Sequence, residues 1–106
     1  MEAAQKQVAE YLGPRIRSIR RGLDMSQENL ADNAGIHRTQ ISLIESGERL
    51  PRIDTMIKLA GALGFAPCEL LDGIAWEVGG SRPGKRVVTG DAGDGRGSAG
   101  TGGNDA

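Results

Sequence analysis

Side chains that hold metals, form disulfides or fill large aromatic cores are scarce in this chain of 106 residues. It contains one cysteine (Cys68), one histidine (His37) and three aromatic residues. A disulfide framework is excluded, and a site built from several Cys or His ligands is not expected. Paired carboxylates, a phosphate-binding loop and a Ser–His–Asp set are also missing. No catalytic residues, metal or cofactor are therefore predicted, and the chain is not expected to be an enzyme.

Long apolar segments are absent as well. The sequence has no run of about 18 apolar residues, so no segment is expected to span a membrane. The N-terminal stretch carries an acidic second residue, Glu2, which argues against a secretory signal. The predicted location is the cytoplasm. Cys68 is expected to be a small buried or half-buried apolar residue rather than a redox switch.

The charges nearly balance, with 13 basic and 14 acidic residues and a net charge of −1. This balance argues against a non-specific polyanion binder. Residues 13–58 hold eight basic and six acidic side chains, which is only a small positive excess. The charge alone therefore identifies no partner, and any functional prediction must come from the pattern of residues.

Glycine divides the chain into unequal parts, because ten of the 17 glycines lie in residues 79–106. That composition is typical of a flexible tail, and only Lys85–Thr89 within it has the character of a strand. The predicted organisation is a helical extension at residues 1–12, a folded domain at residues 13–78 and a disordered tail at residues 79–106.

Apolar residues recur at helical spacing before the tail and predict an all-α fold of five helices. Pro14 is predicted to begin helix 1, either as a separate helix or as a kinked continuation of the preceding segment. Helix 3 is predicted at about residues 38–46. Helix 4 is predicted to end at Gly64, and a short helix 5 is predicted to begin at Pro67.

The segment Ser26–Pro51 has the spacing of two short helices joined by a tight turn. Ser26 is expected to cap helix 2, and Asn29, where Glu would complete a capping box, leaves the box half present. Ala31 is small where the helices cross, and Gly35 can adopt the left-handed backbone that the turn needs. The apolar positions expected to hold the two helices onto the core are Leu30, Ala34, Ile36, Ile41 and Ile44. All seven positions fit a helix-turn-helix.

This segment resembles the helix-turn-helix of phage repressors and Cro proteins, also called the xenobiotic-response-element family of bacterial transcriptional regulators. The resemblance covers about residues 12–72 and includes the step Pro51–Thr55 and the run KLAGALG at Lys58–Gly64. It implies a compact, lambda-repressor-like domain of five helices. It also implies a sequence-specific regulator, such as a repressor, that binds double-stranded operator DNA, usually as a dimer on two half-sites.

The resemblance further implies which residues meet DNA. Helix 3 would enter the major groove with its N-terminal residues at the base edges. The implied base contacts are Arg38, Thr39, Ser42 and Leu43, of which Arg38 can donate two hydrogen bonds to guanine. The implied phosphate contacts are Gln27, Ser46, Arg49 and Arg52. His37 stands where the family more often has a Ser or Thr cap, and is expected to be a surface or capping residue.

Two further expectations concern contacts between helices and between chains. The family often pairs an arginine and a glutamate at the positions of Arg20 and Glu45, and we predict a partly buried ion pair that locks helix 3 onto helix 1. Family members often dimerise through the end of helix 5, where this chain has an apolar cluster of Leu70, Leu71, Ile74 and Trp76. The sequence leaves open whether this cluster joins two copies or Trp76 folds back into the small core, and we favour the core.

The alternative function is a protein-interaction module. In that case the helix-turn-helix would contact a protein, as in an antitoxin that covers a toxin or an adaptor that recruits polymerase. Sequence-selective DNA binding with steep salt dependence would favour the regulator, and a stoichiometric complex without DNA would favour the module.

Overall fold

The computed structural model describes residues 1–78 and 85–90. The chain forms two compact units, a helical unit at Met1–Leu71 and a second unit that begins at Asp72. The helices of the first unit are α1 (Ala3–Gly22), α2 (Gln27–Ala34), α3 (Arg38–Glu45), α4 (Ile53–Leu63) and α5 (Pro67–Leu70). The prediction of five helices is confirmed, and the chain is mostly helical rather than all-α because two strands follow them.

Helix α1 runs without interruption through Pro14. Residues 3–12 therefore belong to the same helix as the start of the predicted domain, which corrects the predicted boundary. Proline in a helix interior removes one backbone hydrogen bond and usually breaks the helix. Here Leu12 and Ile16, on either side of Pro14, are both buried in one core, and this packing holds the two halves of α1 in line.

The core of the helical unit draws on all five helices. Seven large apolar side chains in it are less than 2% exposed, namely Leu12, Ile16, Leu30, Ile41, Ile44, Leu59 and Leu70. Burial of one such side chain stabilises the fold by about 1.5–3 kcal/mol. Because Leu70 takes the inward position of the one-turn helix α5, it cannot contribute to the predicted dimer contact. Cys68 in the same turn is exposed, so its predicted burial is wrong.

Gly13 allows α1 and α3 to pack directly against each other. A Cβ atom added at Gly13 would lie 2.7 Å from the carbonyl oxygen of Glu45 and closer still to that of Ile44. Real Cβ atoms do not approach backbone this closely. The side-chain-free surface of Gly13 therefore sets the distance at which the C-terminal end of α3 rests on α1.

The second unit contains an antiparallel pair of strands, β1 (Ile74–Val78) and β2 (Lys85–Thr89). Strand β1 was not predicted, because five residues without a strong alternation become a strand only through pairing with a partner. Strand β2 lies inside the predicted disordered tail, so that prediction is wrong for residues 85–89. Apart from Gly90, the rest of the predicted tail lies outside the described residues.

Trp76 does not complete a core. It is directly opposite Val87 in the strand register, yet 55% of its surface is exposed. The favoured placement of this ring in the core is therefore wrong.

Candidate nucleic-acid interface

Helix α2 begins with a complete capping box. The backbone N–H of Asn29 donates to Oγ of Ser26 at 3.0 Å, and the backbone N–H of Ser26 donates to Oδ1 of Asn29 at 3.2 Å. The predicted half box is therefore wrong, because the Asn side chain reaches back far enough to replace the usual Glu. Gly35 ends the helix with φ 70° and ψ 37°, the left-handed conformation that the turn requires.

Helix α3 follows the turn and is one residue shorter than predicted, with Ser46 as its C-cap. His37 is exposed and occupies the N-cap position, but its side chain makes no capping hydrogen bond. The first turn of α3 therefore contains neither an acidic side chain nor a side-chain cap. Its N-terminal end keeps the partial positive charge of the helix dipole.

Opposite faces of α3 have opposite character. Ile41 and Ile44 are at most 2% exposed and fix the helix on the core. Of the residues predicted to contact bases, Arg38, Thr39 and Ser42 are exposed and Leu43 is half-buried. The exposed face thus presents one guanidinium and two hydroxyls that can bond base edges or phosphates.

Arg20 and Glu45 form two charge-assisted hydrogen bonds between α1 and α3. Nε of Arg20 donates to Oε2 of Glu45 at 2.6 Å, and Nη2 donates to Oε1 at 3.0 Å. Nη1 of Arg20 donates to the backbone oxygen of Met25 at 2.7 Å. The two residues are only 7% and 4% exposed. The hydrogen bond to Glu45 raises the pKa of Arg20 above its usual value, so the guanidinium remains charged at any pH used for DNA binding.

Gln27, at the first position of α2, extends this pair to the exposed face of α3. Nε2 of Gln27 donates to Oε1 of Glu45 at 3.1 Å, and Oε1 of Gln27 accepts from Nη1 of Arg38 at 3.1 Å. Sequence reasoning assigned Gln27 and Arg38 to separate contacts and missed this link. No local pattern reports it, because the Gln27–Glu45 bond joins residues 18 positions apart in different helices.

The residues predicted to contact phosphates differ in their surroundings. Gln27 borders a shallow depression lined by Arg20, Ser26, Gln27, Glu28 and Arg38. Oγ of Ser46 lies 3.0 Å from the Leu43 carbonyl oxygen and 2.9 Å from a carboxylate oxygen of Glu48. Arg49 is exposed.

Arg52 forms a surface pair with Asp54 at 3.5 Å, with 86% of the arginine side chain exposed. Such exposed pairs contribute little to stability and are easily exchanged for another anion.

The described residues contain neither a candidate metal site nor a candidate membrane helix. No set of three His, Cys, Asp or Glu side chains within residues 1–78 and 85–90 is grouped so that it could hold a metal ion. In the same part of the chain, no helix combines the length and the apolar character needed to cross a membrane.

Comparison with known proteins gives consistent matches to the helical unit. The helix-turn-helix family HTH_3 matches residues 16–70. Control protein C.BamHI of Bacillus amyloliquefaciens is 46% identical over 61 residues, which cover 57% of this chain and 75% of that protein.

Solved structures agree with this match. The crystal structure of the restriction-modification controller protein C.AhdI from Aeromonas hydrophila has 35% identity and a TM-score of 0.57, and the match covers 58% of this chain and 94% of that one. The crystal structure of the P22 c2 repressor protein in complex with a synthetic operator has 34% identity and a TM-score of 0.55, with the same two coverages. The chain is therefore a member of the helix-turn-helix family HTH_3, with α2 and α3 as its helix-turn-helix.

Proposed function

We propose that this protein is a DNA-binding transcriptional regulator in which α3 reads the major groove of an operator. The observation that carries the proposal is the division of α3 into a face locked on the core and a face that presents Arg38, Thr39 and Ser42 to solvent. A helix held rigidly by one face can place the other in the groove with little rearrangement. Relatives of this chain support the proposal, since the P22 c2 repressor was solved in complex with an operator.

Arg38 is proposed to read a guanine. Nη1 of its guanidinium is held by Gln27, and within residues 1–78 and 85–90 its remaining N–H groups make no hydrogen bond. Nε and Nη2 are therefore left to donate to guanine O6 and N7, a pairing that contributes about 1–3 kcal/mol of discrimination. Thr39 and Ser42 are proposed to bond neighbouring bases. Leu43 is half-buried, so its proposed contact is limited to a thymine methyl group.

Gln27, Ser46, Arg49 and Arg52 are proposed as phosphate contacts. Gln27 is best supported, because two arginines line the depression beside it and α2 begins there with its partial positive charge. Arg52 can exchange its weak contact with Asp54 for a phosphate. Ser46 has the least support, because the carboxylate of Glu48 lies next to its hydroxyl.

A homodimer is proposed because one half-site provides a small contact area, and two copies on adjacent half-sites multiply affinity and specificity. With Leu70 in the core, the residues left for the proposed contact are Leu71, Ile74 and Trp76. Leu71 and Trp76 are exposed and Ile74 is half-buried.

The test is selection of random duplex DNA by the purified chain at about 150 mM salt, followed by sequencing. The proposal predicts a two-fold-symmetric motif with half-site centres about one helical turn apart. If no sequence is enriched and binding disappears as salt rises, the proposal of a DNA-binding regulator is contradicted. The alternative function, a protein-interaction module such as an antitoxin or a polymerase adaptor, is then favoured.

The paired variants Arg38→Ala and Arg38→Lys assign the base contact. Arg38→Ala should lose preference for guanine at one position of each half-site. Arg38→Lys keeps the charge but not the two-pronged donor, so it should retain affinity for phosphate better than Arg38→Ala while losing the guanine preference. Unchanged preference in both variants would contradict the assignment of Arg38.

A further inference from the structure

The hydrogen bonds of Gln27 form a directed chain from the buried ion pair to the exposed face of α3. Arg38 donates to the Gln27 carbonyl oxygen and the Gln27 amide donates to Glu45, both at 3.1 Å. Arg20 holds that same carboxylate with bonds of 2.6 and 3.0 Å. Exposure increases along this series of hydrogen bonds, since Glu45 is buried, Gln27 is half-buried and Arg38 is exposed.

The chemistry of the groups permits only one orientation of the Gln27 amide. The Glu45 carboxylate only accepts hydrogen bonds, and the Arg38 guanidinium only donates them. If the amide were flipped, its NH₂ group would face the guanidinium and its oxygen would face the carboxylate, and both hydrogen bonds would be lost. Glu45 therefore determines that the Gln27 oxygen faces Arg38, and its negative charge polarises the amide so that the oxygen becomes a stronger acceptor.

We propose that Glu45 is a positioning residue for base recognition, which orients the Gln27 amide and through it the guanidinium of Arg38. The inference rests on the proposed function of α3. An arginine that is already held before DNA arrives loses less side-chain freedom when it meets a base, so its contribution to specificity is larger.

The same arrangement is compatible with a phosphate contact by Gln27. A glutamine amide has two N–H donors. One is used by Glu45, and the other has no protein partner within residues 1–78 and 85–90. Gln27 can therefore bond a phosphate without releasing Glu45 or Arg38.

The proposal predicts an effect confined to one base pair of each half-site. Among the described hydrogen bonds none ends on the side chain of Thr39 or Ser42, so the bases proposed for these residues should be read as before. A purely structural role of Glu45 would instead lower the folded fraction and weaken binding to all sequences equally.

The experiment measures Kd for the selected operator and for operators changed at single base pairs. The variants are Glu45→Gln, Gln27→Met and Arg38→Ala. Gln27→Met removes the amide but leaves the Arg20–Glu45 pair intact, so it gives an answer even if Glu45→Gln does not fold. The control is Met56→Ala, which removes a core side chain of α4 that is 4% exposed and belongs to none of the four linked groups.

Glu45→Gln and Gln27→Met are expected to lower discrimination at the base pair read by Arg38 by about two- to tenfold, which corresponds to one lost hydrogen bond. In the Arg38→Ala background, Glu45→Gln should cause no further loss of discrimination at that base pair. In the DNA-free protein, the nuclear magnetic resonance signals of the Gln27 side-chain NH₂ should move toward those of a free amide in Glu45→Gln and stay in place in Met56→Ala.

Two results would overturn the proposal and are distinguishable. If the wild-type chain discriminates among operators but Glu45→Gln and Gln27→Met only weaken binding uniformly, as Met56→Ala does, Glu45 has no positioning role. If the wild-type chain itself does not discriminate, the proposed function fails and this inference fails with it.

Discussion

The helical unit and the β1–β2 pair differ in how completely they bury their apolar side chains. Seven large apolar side chains in the helical unit are less than 2% exposed. In the strand pair, Val87 is buried, with 8% of its surface exposed, but Trp76 and Val78 remain 55% and 63% exposed. Burial of apolar surface is the main favourable term in folding, so the helical unit gains more stabilisation from it than the strand pair does.

The two regions also differ in the kind of polar contact that holds them together. In the helical unit, the buried Arg20–Glu45 pair and the close approach at Gly13 both fix α3 on α1. The exposed face of α3 can then be polar without loss of order, because the contacts of the opposite face with α1 fix the position of the helix. The strands are joined by backbone pairing, and two apolar side chains of β1, Trp76 and Val78, remain exposed and available to a further surface.

Loss of Arg20 should have the largest effect on the helical unit. Arg20→Ala leaves the Glu45 carboxylate, which is 4% exposed, without its charged partner. The free energy of unfolding should fall by about 3–5 kcal/mol, measured by chemical denaturation.

The matched control is Arg17→Ala, which removes an exposed arginine from the same helix and should change stability by no more than about 0.5 kcal/mol. The raised pKa of Arg20 means that its contribution is present below the unfolded pKa and is lost only as pH rises through the folded pKa. Titration of Arg20 should therefore contribute no pH dependence to the effect between about pH 6 and 9. Equal stability of Arg20→Ala and Arg17→Ala would contradict the structural role of the pair.

Gly13→Ala should have the next largest effect. The added methyl group would collide with backbone oxygens at the end of α3, and backbone cannot move aside as a flexible side chain can. Thermal unfolding should show a loss of about 1–3 kcal/mol. Gly22→Ala, in the same helix with nothing within 4 Å of the added atom, should be neutral or stabilising. A Gly13→Ala variant as stable as Gly22→Ala would show that α1 and α3 can separate without cost.

Much of the helical unit was predictable from the sequence because its signals are local. Helical spacing of apolar residues, the glycine of the turn and the family pattern all report on neighbouring positions. Pro14 left two alternatives open for the same reason, since its local preference to begin a helix does not report the shared core under Leu12 and Ile16, where α1 continues through it. Strand β1 could not be predicted because it depends on β2, which lies beyond it in a segment of tail-like composition.

In the candidate site, too, some features follow from local sequence patterns and others only from the packing of the helices. The exposed residues of α3 follow from the helix-turn-helix pattern, and the Arg20–Glu45 pair follows from the family resemblance. The Gln27 link between them depends on the crossing of α2 over α3 and on the reach of one amide, which no spacing rule contains. Only the folded structure brings the side chains of Gln27, Arg38 and Glu45 together.

Trp76→Ala should have the smallest effect on the helical unit, and it tests the comparison directly. The ring is 55% exposed, so its removal should change the stability of the helices, measured by circular dichroism, by no more than about 0.5 kcal/mol. The contrasting variant is Leu59→Ala, whose side chain is 0% exposed and whose loss should cost about 2–5 kcal/mol. If the exposed ring instead joins two copies of the chain, sedimentation of Trp76→Ala should show a smaller dimer fraction while the helices melt as before. A loss of helix stability in Trp76→Ala as large as in Leu59→Ala would contradict this account, because an open ring would then support the fold as strongly as a core leucine.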